Sequence, residues 1–362
     1  MRPGGRKGEK MAMRYDAFYP GQIWLDTEGK RIQAHGGSIF YEKGVFYWYG
    51  ENKEKTRPDN GIIQWGVRCY SSEDLYNWKD EGLIIPPDEE NKDSVLHPSS
   101  KAERPHILFC EKTGKYVCWL KVWQEAAVLV ADNFPGPYEI VRSHYRPLGR
   151  NMGDFDLVKA GDKAYCYFEC PHTEMICADL TEDYTGVTGN YSTHFPLHTP
   201  PFVREAPAYF YRKNRHYLLT SGTTGYHPNP SEGAIADSFH GPWIRQGNLH
   251  PQDLSQTSFG SQISSVFRHP EKRDLYIALG DRWMPRLRDR NPEKYDSGEM
   301  YREIARNFEC EFSDDPEIHR QAKWTIPAPD TSIADYVWLP VVFEGERPVI
   351  KWMDKWRTEE WK

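Results

Sequence analysis

A chain of 362 residues holds one large domain or two ordinary ones. Aromatic residues make up 14% of it, and 28 Gly and 27 Pro are spread along its length rather than pooled in a linker, a mixture that suits many short strands joined by tight turns. The formal charge of −7 arises from 46 basic and 53 acidic residues that are well interspersed, which gives no electrostatic reason for nucleic acid or an anionic membrane as partner and favours a neutral one.

Residues 1–13, MRPGGRKGEKMAM, carry no apolar run, so they read as a disordered start and not as a signal or anchor, with one domain over 14–362. Five segments then share one shape: GSIFYEKGVFYWYGE from Gly37, ERPHILFCEKTGKYVCWL from Glu103, DFDLVKAGDKAYCYFE from Asp154, EAPAYFYRKNRHYLLTSG from Glu205 and SQISSVFRHPEKRDLYIALGDRW from Ser261. Each is an alternating strand, a charged or Gly-containing turn and a second strand rich in aromatic and β-branched residues, which is a β-hairpin. Four of them are followed by a second element with a turn and an anchoring aromatic, beginning at Tyr70, Val130, Ala178 and Ile235. Two hairpins per unit and five units predict an all-β, five-bladed β-propeller, since a two-sheet sandwich would not explain the recurrence. A charged stretch over 285–331, helix-like near YREIARNFECEF, interrupts the last unit. The segment DYVWLPVVFEGERPVIKWMDKW beyond it either supplies the missing strands or closes the ring against the N-terminal segment.

The seven cysteines (Cys69, Cys110, Cys118, Cys166, Cys170, Cys177 and Cys310) are odd in number and lack zinc-ligand spacing. They read as free thiols of a cytoplasmic protein, and no metal or cofactor is expected.

In a propeller the polar residues that open the innermost strands converge at one end of the axis. Glu103, Asp154 and Glu205 each start a repeat, and Gln262 holds nearly the same place in the fifth. One such acid alone reads as a solvated strand-edge charge; four polar residues at equivalent places read as a site. Gathered carboxyl groups are the equipment of glycoside hydrolysis, because mutual repulsion and a dry pocket keep one protonated near neutral pH while another stays charged.

The motifs WLDTEGKRIQAHGG (Trp24 to Gly37), FYWYGE (Phe46 to Glu51), YSSEDLYNW (Tyr70 to Trp78), ERP (Glu103 to Pro105), REAPAYF (Arg204 to Phe210), TSGTTGYHPN (Thr220 to Asn229), FGSQ (Phe259 to Gln262), GDRW (Gly280 to Trp283) and YVWLP (Tyr336 to Pro340) resemble glycoside hydrolase family 43. Within it the chain is most similar to the branch of exo-β-1,3-galactanases, over Trp24 to Trp352. The resemblance implies that Glu205 is the general acid and Asp154 the carboxylate that tunes and orients it. It also puts Gln262 where a base is sought. Members outside this branch open blade one with an aspartate base, whereas QAHGGS here offers none, so water held by Gln262 would be deprotonated by another group, for which Glu103 is named.

Around these, Glu51 and Arg104 are expected at the sugar, with an ion pair between them as the structural alternative. His35 either binds substrate, an ion or water on the axis or is satisfied in the core. Thr223, Thr224 and Tyr226 offer an aromatic beside small hydroxyls, which suits a sugar or an ordinary turn. Arg282 and Trp283 line the pocket or brace the fifth blade, with bracing favoured. Two loops depart from the galactanase branch, so Trp123, Glu169 and His172 are expected to shape specificity, and the 285–331 insertion to act as a lid or an oligomer contact. The expected function is an exo-acting, inverting hydrolase of β-galactosyl, galactan-type β-1,3 linkages in oligosaccharides. An α-L-arabinofuranosidase or β-galactofuranosidase is the nearest enzyme alternative, and a non-catalytic sugar-binding propeller the alternative of another class; the sequence gives no oligomeric state.

Overall fold

The computed structural model describes residues 14–196 and 199–362, so the N-terminal segment expected to be disordered lies outside it. The strands form five four-stranded sheets. Blade 1 holds β1 (His35–Glu42), β2 (Val45–Glu51), β3 (Val67–Ser72) and β4 (Lys79–Ile85), and blade 2 holds β5 (Ala102–Cys110), β6 (Lys115–Val122), β7 (Glu125–Ala131) and β8 (Glu139–Tyr145). Blade 3 is β9 (Phe155–Ala160), β10 (Lys163–Cys170), β11 (Glu174–Leu180) and β12 (Val187–His194); blade 4 is β13 (Arg204–Arg212), β14 (Arg215–Gly222), β15 (Glu232–Ala236) and β16 (Ile244–Asn248). Blade 5 combines β17 (Gln262–Arg268) and β18 (Tyr276–Arg282) with β19 (Asp335–Glu344) and β20 (Arg347–Ile350), so the C-terminal segment supplies the missing outer strands.

The strand order follows from composition. Middle strands such as β6, KYVCWLKV, are buried on both faces between neighbouring blades, while the outermost β8, EIVRSHY, is almost wholly exposed. Tight turns fix the register: Glu42 pairs with Val45 around Lys43 and Gly44, whose φ values of 51° and 88° suit the type I′ turn that matches strand twist. The inner strands neighbour one another in the order β1, β5, β9, β13, β17, and β17 returns to β1. That closure leaves one funnel at the centre.

The N-terminal segment also joins the closure. Phe18 bridges to Trp356 and stacks on its indole at 4.2 Å, beside a cluster of Trp24, Trp48, Trp78 and Trp338. Truncating a buried tryptophan such as Trp338 to alanine costs about 3–5 kcal/mol, so this cluster is a principal clasp of the ring.

Between β18 and β19 the insertion folds as α1 (Leu287–Arg290), α2 (Pro292–Asp296), α3 (Glu299–Glu311) and α4 (Pro316–His319). Pro292 at the first helical position and the Asn291 side chain accepting from Lys294 N start α2. Leu287, Tyr295, Met300 and Ile304 form a small core of its own, with Phe308 and Ile326 packed against it. Among the described residues no helix is long and apolar enough to cross a membrane.

Candidate active site

The innermost pairs of strands place equivalent residues at one level. His35 pairs with Glu51, Glu103 with Lys121, Glu205 with Ser221 and Gln262 with Asp281. In blade 3 Asp154 precedes β9, and its carbonyl accepts from Glu169 N at 2.9 Å. Just after this level the register shifts in blades 1, 2 and 4, with Gly36, Arg104 and Ala206 at φ values of 63°, 55° and 49°. In blades 2 and 4 the bulge bends the inner strand so that Glu103 and Glu205 are re-aimed at the axis. Polar residues far apart in the chain meet there.

They line a cavity of about 360 Å³ that includes Glu51, Glu103, Arg104, Asp154, Glu205 and Gln262. Arg104 is its hub. Its Nη2 donates to Gln262 Oε1 at 2.7 Å and lies 2.7 Å from Asp154 Oδ2, while its backbone N donates to Glu51 Oε1 at 2.9 Å. Lys121 Nζ bridges Glu103 Oε2 at 3.0 Å and Asp154 Oδ1 at 3.1 Å, and Tyr226 OH donates to Glu103 Oε1 at 2.8 Å. Gln262 donates through Nε2 to Glu205 Oε1 at 3.2 Å and to Ser221 Oγ at 2.9 Å, and its Oε1 also accepts from Trp283 Nε1 at 3.4 Å.

This wiring separates the carboxyl groups electrostatically. Burial, then the carboxylates of Asp154 and Glu169, push Glu205 well above the usual carboxyl range, against the weaker pull of Lys121 and Arg104. Burial works the same way on Glu103, but the ammonium groups of Lys121, Lys101 and Lys53 outweigh it and hold that carboxyl below the usual range. Asp154 is likewise depressed, because Arg104 and Lys121 overcome its burial. The Tyr226 hydroxyl, raised by burial and by Glu103, keeps its proton and can donate it to that carboxylate. One acid is therefore poised to give a proton beside others that stay charged.

The structure brings Glu103, Asp154, Glu205, Gln262, Glu51, Arg104, Trp123, Glu169, His172, Thr223, Tyr226 and Trp283 to this cavity. The ion pair imagined between Glu51 and Arg104 is replaced: Glu51 accepts from the backbone of Arg104, and its Oε2 lies 2.7 Å from the fully buried Lys53. Trp283 lines the pocket instead of bracing the blade.

Three expected contacts stand elsewhere. His35 is wholly buried beneath the cavity floor, with Nδ1 3.0 Å from Asp281 Oδ1 and its ring stacked at 4.7 Å on Tyr336, so it is a core histidine. Thr224 is spent on the turn, donating to His227 O and bonded to Asn229 Nδ2. Arg282 points outward, as alternation along β18 requires, and donates to Gly21 O at 3.2 Å. Sequence reasoning missed Lys121, because a lysine inside a strand reads as solvated, and missed Phe308 and Phe312 of the insertion, which line the same cavity.

A five-bladed propeller with carboxyl groups of divided ionisation around one axial cavity is built as a glycosidase. Residues 32–290 match the model of glycosyl hydrolases family 43. The chain belongs to that family and is a glycoside hydrolase. It superposes on a solved family 43 β-1,3-galactosidase with a TM-score of 0.76 and 28% identity, over 96% of this chain and 64% of the other, so it spans less than two thirds of that relative. A second solved family 43 β-1,3-galactosidase, with galactodeoxynojirimycin, gives a TM-score of 0.73 and 27% identity over 94% of this chain and 100% of the other. An exo-β-1,3-galactanase from Phanerochaete chrysosporium, solved with galactose, shares the fold at a TM-score of 0.72 and 24% identity, over 95% of this chain and 68% of that one. No curated protein matches the chain.

Proposed function

We propose that this enzyme is an exo-acting, inverting hydrolase that removes terminal galactosyl residues from β-1,3-linked galacto-oligosaccharides. The observation that carries the reading is the opposed ionisation of Glu205 and Glu103 on one cavity, joined through Gln262, Arg104, Asp154 and Lys121. Glu205 protonates the leaving glycosidic oxygen. Because Oε1 accepts from Gln262, the acidic proton sits on Oε2. Glu103, charged throughout the working range, takes the proton of the water that attacks the far face of the sugar. Gln262 has both amide hydrogens and its oxygen engaged by protein groups, so it acts by orienting Glu205 and Arg104.

Sugar hydroxyls have partners waiting for them. Among the described residues Arg104 Nη1 and Thr223 Oγ1 are buried without a hydrogen-bond partner, and both residues line the cavity. Depth supports end-on entry: Glu103 is 6% exposed, whereas Trp123 at the mouth is 55% exposed. The β-1,3-galactosyl assignment is supported by the two solved relatives at 28% and 27% identity. A cytoplasmic setting is supported by seven cysteines that are all free.

The test is Glu205→Gln with β-1,3-galactobiose. The variant loses turnover by at least about 10³-fold while still binding galactose, and NMR of the wild-type reaction shows α-galactose as the first-formed anomer. Absence of galactobiose hydrolysis by the wild type, or first-formed β-galactose, would refute the reading.

A further inference from the structure

The cavity changes character along its depth. Its floor is made of charged and amide groups supplied by the inner strands, while its mouth carries Trp123, Phe308 and Phe312. Trp123 is 55% exposed at the tip of the β6–β7 turn, and Phe312, the C-cap of α3, is 42% exposed. Large aromatic faces left in water at the rim of a polar pocket hold free energy that a flat apolar surface can release on binding.

Phe308 and Phe312 are also held in place. Phe308 lies parallel to Phe312 at 6.3 Å, and Trp324 meets Phe308 edge-on at 4.9 Å. Trp324 in turn stacks at 5.1 Å on His227 of the blade 4 loop, which ties the insertion to the propeller. From the blade 3 side, His172 approaches Phe312 edge-on at 4.7 Å, and its backbone N donates to Glu169 Oε1 at 2.9 Å. Rings fixed in this way lose little entropy when a ligand stacks on them.

We propose that the insertion builds the leaving-group subsite of this enzyme: Phe312 and Trp123 receive the C–H face of the pyranose ring on the far side of the bond being cleaved. The inference rests on the galactosyl reading above and adds what selects the leaving group. The floor holds the terminal sugar by hydrogen bonds and the mouth holds the next ring by stacking, so oligosaccharides with a pyranose at that position are favoured over substrates with a small leaving group. Lys101 and Gln124, at the same rim, offer polar contacts to that sugar's edge.

The test compares β-1,3-galactobiose with β-galactosyl fluoride, whose leaving group is too small to reach the mouth. In Phe312→Ala and Trp123→Ala the ratio of kcat/KM for galactobiose to that for the fluoride falls by about 3- to 10-fold each, as loss of one stacked ring requires. Phe312→Trp restores the ratio. Equal effects on both substrates, or no change in the ratio, overturn the subsite while leaving the galactosyl reading intact. If the wild type turns over neither substrate, the galactosyl reading itself falls and takes the subsite with it.

Discussion

Gln262 donates a hydrogen bond to Glu205 across 3.2 Å, from the residue that opens one inner strand to the second residue of the strand beside it. The same amide accepts from Arg104, a cation that cannot act as acceptor, so its orientation is fixed and only its NH₂ end can face Glu205. A neutral side chain at this point adds no charge to the pull of Lys121 and Arg104, so burial, Asp154 and Glu169 prevail and raise Glu205.

Gln262→Glu sets a second carboxyl against Glu205. Like charge raises the pKa of the acid further, and a general acid is active only while protonated. The alkaline limb of the kcat/KM profile therefore moves up by about one pH unit, with kcat reduced. A limb that stays in place or moves down would show that Glu205 is not the proton donor.

Lys121→Met acts on the other limb. The ammonium group is a main reason that Glu103 and Asp154 lie low, so both rise without it. A base works only when ionised, and activity appears as pH climbs through its pKa; the acidic limb thus shifts to higher pH. Breaking a buried ion cluster on one side also costs about 3–5 kcal/mol, which calorimetry reads as a lower Tm. An unchanged acidic limb in a folded variant would remove Glu103 from the mechanism.

Asp156, one turn of the pleat below Asp154, accepts from Tyr209 N at 2.8 Å and lies 3.2 Å from His106 Nε2. Burial raises its carboxyl from 3.8 to about 7 and pushes His106 down to about 4. An acid raised on folding is stabilising in its protonated form, so native stability falls as pH rises through the window from 3.8 to about 7 and levels off above it. Asp156→Asn can still accept from Tyr209 and has no proton to lose. The difference in Tm, variant minus wild type, should climb across that window and then flatten; a flat difference throughout would contradict the raised carboxyl.

Gly37 on β1 faces the backbone of β2 at very short range: a Cβ there meets the carbonyl oxygen of Tyr49, and Gly50 Cα at 2.8 Å. Backbone cannot swing aside as a side-chain tip can. Gly37→Ala is expected to destabilise by about 1–3 kcal/mol, seen as a lower denaturation midpoint, and to weaken activity through the displaced Glu51. Wild-type stability in this variant would mean the two strands are not so closely apposed.

The propeller was legible because each inner hairpin repeats the alternation that a blade imposes, and a helix was legible near α3. The acids were legible for the same reason: Glu103, Asp154 and Glu205 open successive repeats. What the repeat does not carry was harder to read. Whether His35 faces the funnel or the core depends on Asp281 and Tyr336, residues some three hundred positions away in the case of Tyr336, and Lys121 is paired only once Glu103 and Asp154 are brought to it. Phe312 reaches the mouth because of how the insertion docks on His227 and His172, which no periodicity encodes.

The excursion that holds Phe312 leaves blade 5 at Arg282 and returns at Asp335, two residues that pair directly with each other in the sheet. Its ends are thus pinned side by side by strands that would pair without it, and doubling such a loop adds only about 0.6 kcal/mol of closure entropy. Evolution or an engineer can lengthen, shorten or exchange it with little penalty to the ring of blades. The reaction and the choice of what it acts upon are thereby entrusted to separate stretches of chain, free to diverge at different speeds.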